Sequence, residues 1–191
     1  KSKDELKKLA MEFEELNDFY VDSRDMLHNW ANRFIKQIKA TNLPFREAFE
    51  KLRPLAEEYL KSEELGIQGY IDAIYETENG KSKVVDYKTS RKDIVTPEYT
   101  LQAGIYAILI KEIKGEAPEI VSFDFLKGQM RDVLVDEDLL KNTLFEIEQI
   151  HESTKSAEVK DYCKKPSGLC KWSNERGSGQ CAYYEICKPR G

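Results

Sequence analysis

The first third of the chain carries apolar residues at helical spacing. One amphipathic helix is predicted over about residues 3–20, and a second begins near Asp22 or Ser23 and continues to Ile38. A third helical stretch follows Pro44 and extends to Tyr59, with a kink or break at Pro54, because proline removes a backbone donor there. The N-terminal part of the chain is therefore predicted to be helical.

The pattern changes to strands from Gly66 onward. Residues 66–75 alternate, residues 78–81 are typical of a turn, and residues 84–87 are β-branched or aromatic, which together predict a β-hairpin. A capped helix is predicted from Thr96 to Gly115, two strands at 120–126 and 131–135, and a last helix at 136–154. The predicted order is helices, then β-β-α-β-β-α, then a Cys-rich tail. We expect a helical region at 1–62, a core at 63–158 and a tail at 159–191.

Composition and charge narrow the possible classes of protein. The chain has 191 residues, 40% hydrophobic and 34% charged, so it is expected to fold as a globular protein. No apolar run is long enough to span a membrane and no export signal is visible, which predicts a cytoplasmic protein, in the host cell if it is viral. The net charge of −5 does not exclude a DNA partner, because residues 81–92 carry five Lys or Arg against one Asp.

Two acids and a lysine stand out on the predicted hairpin. Asp72 lies on its first strand, and Asp86 and Lys88 lie on its second, on one face because side chains alternate. Carboxylates are hard oxygen ligands for Mg²⁺ or Mn²⁺, and a bound metal would acidify a water molecule and polarise a phosphoryl oxygen. The alternative is a pair of exposed strand acids beside a solvated lysine.

A shared site constrains the register of this hairpin. A plain two-residue turn at Asn79-Gly80 would place Asp72 opposite Tyr87, so that Asp72 would point away from Asp86. We therefore predict a three-residue loop or a bulge, with a register such as Asp72 opposite Lys88.

The sequence around these residues resembles the PD-(D/E)xK nuclease superfamily, in its RecB-type exonuclease branch, which includes CRISPR-associated and viral nucleases. The resemblance is carried by Gly69-Tyr70-Ile71-Asp72, by Asp86-Tyr87-Lys88-Thr89-Ser90, and by Gln102 and Tyr106, which share a helix face. It implies an α/β fold, with a restriction-endonuclease-like mixed β-sheet core flanked by helices, N-terminal helices and a C-terminal metal clamp.

The resemblance also implies roles for individual residues. Asp72 and Asp86 would bind the metal with His28, and Tyr87 would add its backbone carbonyl while its side chain faces away. Lys88 would orient the attacking water, and Gln102 and Tyr106 would support the site. His28 could instead be an ordinary packed or surface histidine, and Tyr106 and Gln102 ordinary core and surface residues.

All four cysteines lie near the C-terminus, at Cys163, Cys170, Cys181 and Cys187. In a chain without an export signal, such a cluster favours a metal site over disulfides. The tail resembles that of the iron–sulfur members of the branch, although its spacing differs and no cysteine precedes it. The cysteines are expected to bind a [4Fe-4S] cluster or Zn²⁺, and disulfides or free thiols are the alternatives.

These patterns predict a Mg²⁺- or Mn²⁺-dependent deoxyribonuclease, expected to be an exonuclease, in DNA repair, recombination, or viral or CRISPR DNA processing. The expected partner is DNA, as single strands or duplex ends, with a larger nuclease, helicase or adaptation complex possible and no membrane. The alternatives are a non-catalytic nucleic-acid-binding module and a structural subunit of a recombination assembly.

Overall fold

A computed structural model describes residues 13–77 and 79–162. The helices are α1 (Phe13–Ala40), α2 (Phe45–Leu52), α3 (Pro97–Lys114) and α4 (Glu137–Ser153). The strands are β1 (Leu55–Ser62), β2 (Ile67–Glu76), β3 (Ser82–Lys88), β4 (Ile120–Phe125) and β5 (Met130–Leu134), followed by a short 3₁₀ turn (Val159–Asp161). Within the described ranges, no helix combines the length and apolar character that a membrane span requires.

The five strands form one mixed sheet in the order β1-β2-β3-β4-β5. Neighbouring strands are antiparallel except β3 and β4, which are parallel and are joined by the crossover helix α3. The prediction of an α/β fold with a mixed sheet flanked by helices is confirmed.

Helix α3 covers one face of the sheet and forms the core with it. Thr96 caps this helix through its hydroxyl, Pro97 occupies its first turn, and Gly115 ends it in the left-handed conformation at φ 85°. The buried apolar side chains beneath it come from α3, such as Leu109 and Ile110, and from the central strands, such as Phe123 and Phe125. This packing fixes α3 over the end of β3, where the acids lie.

The N-terminal part of the chain differs from the prediction. The two helices expected before residue 40 are one helix over the described residues, α1, and the third helix ends at Leu52. The prediction of helix up to Tyr59 is wrong, because residues 55–62 pair with β2 as the edge strand β1. Pro54 stops the helix, as expected, but a strand rather than a kinked helix follows.

By their contacts, residues 23–152 form one compact unit, which contains the whole sheet, and the terminal parts of the chain belong to a second unit. In the described part of the second unit, Ser156 accepts a hydrogen bond from the backbone N–H of Glu158 at 3.0 Å, and its hydroxyl donates to Asp161. The candidate site lies entirely within the first unit.

Candidate active site

The loop between β2 and β3 sets the register of the site. The N–H of Thr77 donates to the carbonyl of Lys81 at 2.8 Å, and the N–H of Gly80 donates to the carbonyl of Thr77 at 2.9 Å. Gly80 has a φ of 75°, a conformation that glycine adopts without strain. Three residues therefore separate Thr77 from Lys81, and the predicted absence of a two-residue turn is confirmed.

The register itself differs by two residues from the predicted pairing. Ile74 pairs with Val84, not with Asp86, and Ala73 pairs with Val85. Continued by one residue, this register brings Asp72 opposite Asp86 instead of Lys88. The loop closes earlier than expected, but the shift is an even number of residues, so no side chain changes face within the ladder. Asp72 lies near enough to Asp86 for its negative charge to raise the pKa of Asp86.

A gap opens between the two strands at this point. Ala73–Val85 is the last pair of the ladder, although β2 extends back to Ile67 and β3 continues to Lys88. Beyond it, the carboxylate of Asp72 accepts the backbone N–H of Tyr87 at 2.8 Å, in place of a strand partner. Asp72 is thereby held by the residue that separates Asp86 from Lys88.

Helix α3 holds Asp86 from the other side. Asp86 Oδ1 accepts hydrogen bonds from the Tyr106 hydroxyl at 3.0 Å and from Gln102 Nε2 at 3.1 Å. Gln102 Nε2 also donates to the Tyr106 oxygen at 2.7 Å, which confirms that the two side chains share a helix face. One oxygen of Asp86 is thus fixed by two donors.

Lys88 lies against the second oxygen of Asp86. Lys88 Nζ is 2.7 Å from Asp86 Oδ2 and donates to Gln102 Oε1 at 2.8 Å. The ammonium also lies 4.5 Å from the centre of the Tyr99 ring, close enough for a cation–π interaction. Sequence reasoning missed Tyr99, although its position three residues before Gln102 places it on the same helix face.

Burial governs the electrostatics of this cluster. Asp86 is only 4% exposed, and desolvation raises its pKa; the adjacent Lys88 lowers it in part, and the negative charge of Asp72 raises it further. The pKa of Tyr106 is also raised, first by burial and then by the charge of Asp86, so its hydroxyl stays protonated and remains a donor. The ionised carboxylate of Asp86 is therefore stable in the site only with a positive charge beside it.

The donor set suits a divalent metal. Asp86 Oδ2 is buried and receives no well-directed hydrogen bond in the described part of the chain; the Lys88 ammonium contacts it as an ion pair. Asp72 presents a second carboxylate across the gap, and carboxylate oxygens are the ligands that Mg²⁺ and Mn²⁺ prefer. The carboxylates of Asp72 and Asp86 are therefore suited to serve as protein ligands of a Mg²⁺ or Mn²⁺ ion.

The other predicted ligands are placed differently. The Tyr87 side chain points to the opposite face, where its hydroxyl lies 3.3 Å from that of Tyr75. His28 is exposed on α1 and makes no hydrogen bond or ion pair with another described residue. No three His, Cys, Asp or Glu side chains in residues 13–77 and 79–162 form a metal-binding group, so His28 does not join the two acids here.

The roles of His28 and of the Tyr87 carbonyl as ligands stay predictions. The predicted four-cysteine site at Cys163, Cys170, Cys181 and Cys187 lies outside the described residues, and its iron–sulfur cluster or zinc also stays a prediction.

Comparison with known proteins assigns the family. A family model of the PD-(D/E)XK nuclease superfamily matches residues 2–188. A crystal structure from Eubacterium rectale, of a protein named "Putative exonuclease", is 14% identical and has a TM-score of 0.37, covering 68% of this chain and 65% of its own. The chain thus spans slightly less than two thirds of that protein's length. No curated protein matches the chain. The match covers nearly the whole sequence, and the chain therefore belongs to the PD-(D/E)XK nuclease superfamily.

Proposed function

We propose that this protein is a Mg²⁺- or Mn²⁺-dependent DNA nuclease that acts as an exonuclease. The observation that carries the proposal is a pair of carboxylates at the end of β3. Asp72 accepts the backbone N–H of Tyr87 and its charge acts on Asp86. Asp86 Oδ2 is buried, lacks a well-directed hydrogen bond and lies 2.7 Å from Lys88 Nζ. Superfamily membership supports nuclease chemistry, and the basic segment at 81–92 supports a polyanionic substrate.

The metal would supply an acidified water and a polarised phosphoryl oxygen at Asp72 and Asp86. The remaining work falls to the side chains around it. Gln102 and Tyr106 fix Oδ1 of Asp86, so that Oδ2 keeps a constant direction. The Tyr87 N–H fixes Asp72 in the same way. Such fixed geometry matters because catalysis on a phosphodiester consists mainly of positioning and electrostatic stabilisation.

Lys88 supplies the positive charge of the site. Its ammonium is held by Asp86 and Gln102 and by the rings of Tyr99 and Phe123, so it does not have to be ordered when substrate arrives. We expect it to offset charge that develops on the phosphate and to orient the attacking water. Asp86 is the acidic partner of Lys88 and, as a proposed metal ligand, would also contact the metal.

Cleavage of labelled DNA tests the proposal. We expect the parent chain to digest linear DNA with Mg²⁺ or Mn²⁺ and to be inactive in EDTA. Asp72→Asn and Asp86→Asn should each lower the rate by at least about 10³-fold, because each removes a charged metal ligand. Asp138→Asn, an exposed acid in the first turn of α4, is the matched control and should keep the parent rate.

The form of the DNA separates the possible activities. An exonuclease degrades end-labelled linear DNA and leaves a covalently closed circle intact, whereas an endonuclease cuts both. An Asp86→Asn variant that cleaves as fast as the parent would contradict the proposal. Metal-independent binding without any cleavage would favour the non-catalytic module instead.

A further inference from the structure

A cleft lies on the opposite face of the sheet from Asp86. This cleft of about 250 Å³ lies between α1 and the sheet, and its aromatic lining consists of Trp30 and Phe34 from α1 and Tyr75 and Tyr87 from the sheet. Tyr87 lies between Asp86 and Lys88 in the sequence, and strand alternation directs its side chain away from theirs. The cleft is therefore separate from the carboxylate site.

The aromatic groups are organised as flat surfaces. The rings of Trp30 and Phe34 stack with centroids 5.5 Å apart and planes within 9°. The Tyr87 hydroxyl is held by Trp30 Nε1 and by the Tyr75 hydroxyl, each at 3.3 Å, which fixes the orientation of the ring. Flat, fixed aromatic rings favour a planar ligand that stacks.

Two donors of the cleft lack a good acceptor. Arg33 Nη2 pairs with the buried Asp124 at 2.7 Å, but Arg33 Nε is buried without a hydrogen-bond partner among the described residues. Lys83 Nζ donates to the sulfur of Met130 at 4.0 Å, and a thioether sulfur is a weak acceptor. Arg33 Nε is shielded inside the wall of the cleft, so Lys83 Nζ is the donor that a ligand with an acceptor atom at its edge would satisfy.

Charge and size restrict the ligand further. Arg33 and Lys83 are balanced by Asp124 and Glu76 in the lining, so the cleft does not select an anion such as phosphate. An apolar cavity of about 150 Å³ holds benzene, and pockets for drug-sized ligands begin at about 300 Å³. A volume of about 250 Å³ suits one ring system somewhat larger than benzene.

We propose that this cleft binds a single nucleobase, from a free nucleotide or from an unpaired position of a strand. The choice of a nucleobase over other planar acceptors rests on the proposed nuclease function, because nucleotides are then the substrate and the product. The base stacks on the aromatic lining and accepts a hydrogen bond from Lys83 Nζ.

The fluorescence of Trp30 reports directly on the cleft. The chain has two tryptophans, so a Trp172→Phe background leaves Trp30 as the only one. In EDTA, we expect saturable quenching by deoxyadenosine, dAMP and a single-stranded oligonucleotide, and none by 2-deoxyribose 5-phosphate, which lacks a base. Equilibrium dialysis of labelled dAMP against the unmodified chain repeats the test without the Trp172 change.

Lys83→Met and Lys81→Met form the matched pair of variants. Methionine preserves most of the volume of Lys83 and removes its charged donor, so base binding should weaken about tenfold. Lys81 is paired with Glu119 and does not line the cleft, so Lys81→Met should bind like the parent. Equal binding of nucleoside and oligonucleotide identifies a free nucleotide as the source of the base, and much tighter binding of the oligonucleotide identifies a strand.

The proposal is overturned if no base-bearing ligand quenches Trp30 and none is retained in dialysis. It is also overturned if the sugar phosphate binds as well as dAMP, or if Lys83→Met binds like the parent. Since binding is measured without metal, it succeeds or fails independently of cleavage. A chain that digests DNA but fails this assay keeps its proposed function and loses the base site.

Discussion

At the scale of single residues, the buried charge of Asp86 makes a prediction about pH. Burial raises the pKa of Asp86, so the folded chain holds this proton to higher pH than the unfolded chain, whose carboxyl group titrates at about 3.9. As the pH rises from that value through the raised pKa, the folded state binds more protons than the unfolded state, and the free energy of unfolding falls.

The variant Asp86→Asn isolates this contribution. In EDTA, we expect the free energy of unfolding of the parent, relative to that of Asp86→Asn, to decrease as the pH rises from about 4 to about 7. Urea denaturation of both chains at each pH measures the difference, and other carboxyl groups cancel in it. A difference that grows with pH would show that Lys88 outweighs burial.

At the scale of elements, β1 and β2 both depart from regular strand geometry beside the site. Glu57 has a φ of 56°, although the pairs Ala56–Ala73 and Glu58–Ile71 on either side keep one register, so Glu57 falls opposite Asp72. Ile71 and Ile74 both join the core under α3, and a Cβ on Gly69 would lie 3.8 Å from the Tyr106 ring. The strict alternation of β2 is therefore broken at Asp72, where the strand leaves β3.

Glu57→Gly should stabilise the fold. A left-handed backbone costs an L-residue about 1–2 kcal/mol, and glycine adopts it without that strain. We expect the free energy of unfolding to rise by about 1 kcal/mol, measured by urea denaturation. The adjacent Glu58→Gly is the matched control and should lower it by about 0.5–1 kcal/mol, since glycine weakens an ordinary strand position. Destabilisation by both variants would argue against strain at Glu57.

Helices α3 and α4 approach each other at a glycine. A Cβ added to Gly104 would lie 1.9 Å from Thr143 Oγ1 and 2.8 Å from Thr143 Cβ, and both residues are buried. Contacts this short require one helix to move, because a packed interior has no free volume to absorb them.

Gly104→Ala should therefore lower the free energy of unfolding by about 1–3 kcal/mol. Adding Thr143→Ala to it should recover part of the loss, since the hydroxyl and methyl groups go but the Cβ contact remains. Denaturation of both single variants and of the double variant measures this coupling. Strictly additive effects would show that the two residues do not meet.

At the scale of the whole molecule, local signals predicted the β3-α3-β4 region well. Thr96-Pro97 and Gly115 mark the ends of α3, and the β-branched residues around Asp86 identify β3. The helical spacing of Leu52, Leu55 and Tyr59 predicts that the helix continues to Tyr59, yet pairing with β2 makes residues 55–62 a strand. Pairing at the edge of a sheet depends on the neighbouring strand, so the residues of β1 alone do not predict it.

The site was predictable only in part, for a related reason. The residues that meet at Asp86 lie close in sequence on β3 or one helical turn apart on α3, so their spacing indicates a shared face. The register of β2 and β3 depends on which residues form the loop between them, and the turn residues alone do not determine this. The cleft draws Trp30, Tyr75, Lys83 and Asp124 from four separate elements, so no spacing in the sequence connects them.

The distribution of charge over the molecule leads to a last prediction. Although the net charge is −5, basic residues follow β3 directly at Arg91 and Lys92, and Lys127 lies in the β4–β5 turn. The two segments adjoin, because the Leu126 N–H donates to the Lys88 carbonyl at 2.9 Å and Arg131 binds Asp93 at 2.8 Å. These three cations therefore flank the end of β3 at which Asp86 and Lys88 lie.

Replacing all three cations with Gln should weaken DNA binding and reduce the slope of log K against log salt by about 2–3, because each phosphate contact adds about 0.7–0.9. Binding to Asp86→Asn in EDTA at several salt concentrations measures the slope without cleavage. Lys36→Gln, Lys39→Gln and Lys141→Gln together are the control, because they remove the same three positive charges elsewhere. An equal change of slope in the control would mean that the overall charge, and not this end of the sheet, sets the affinity.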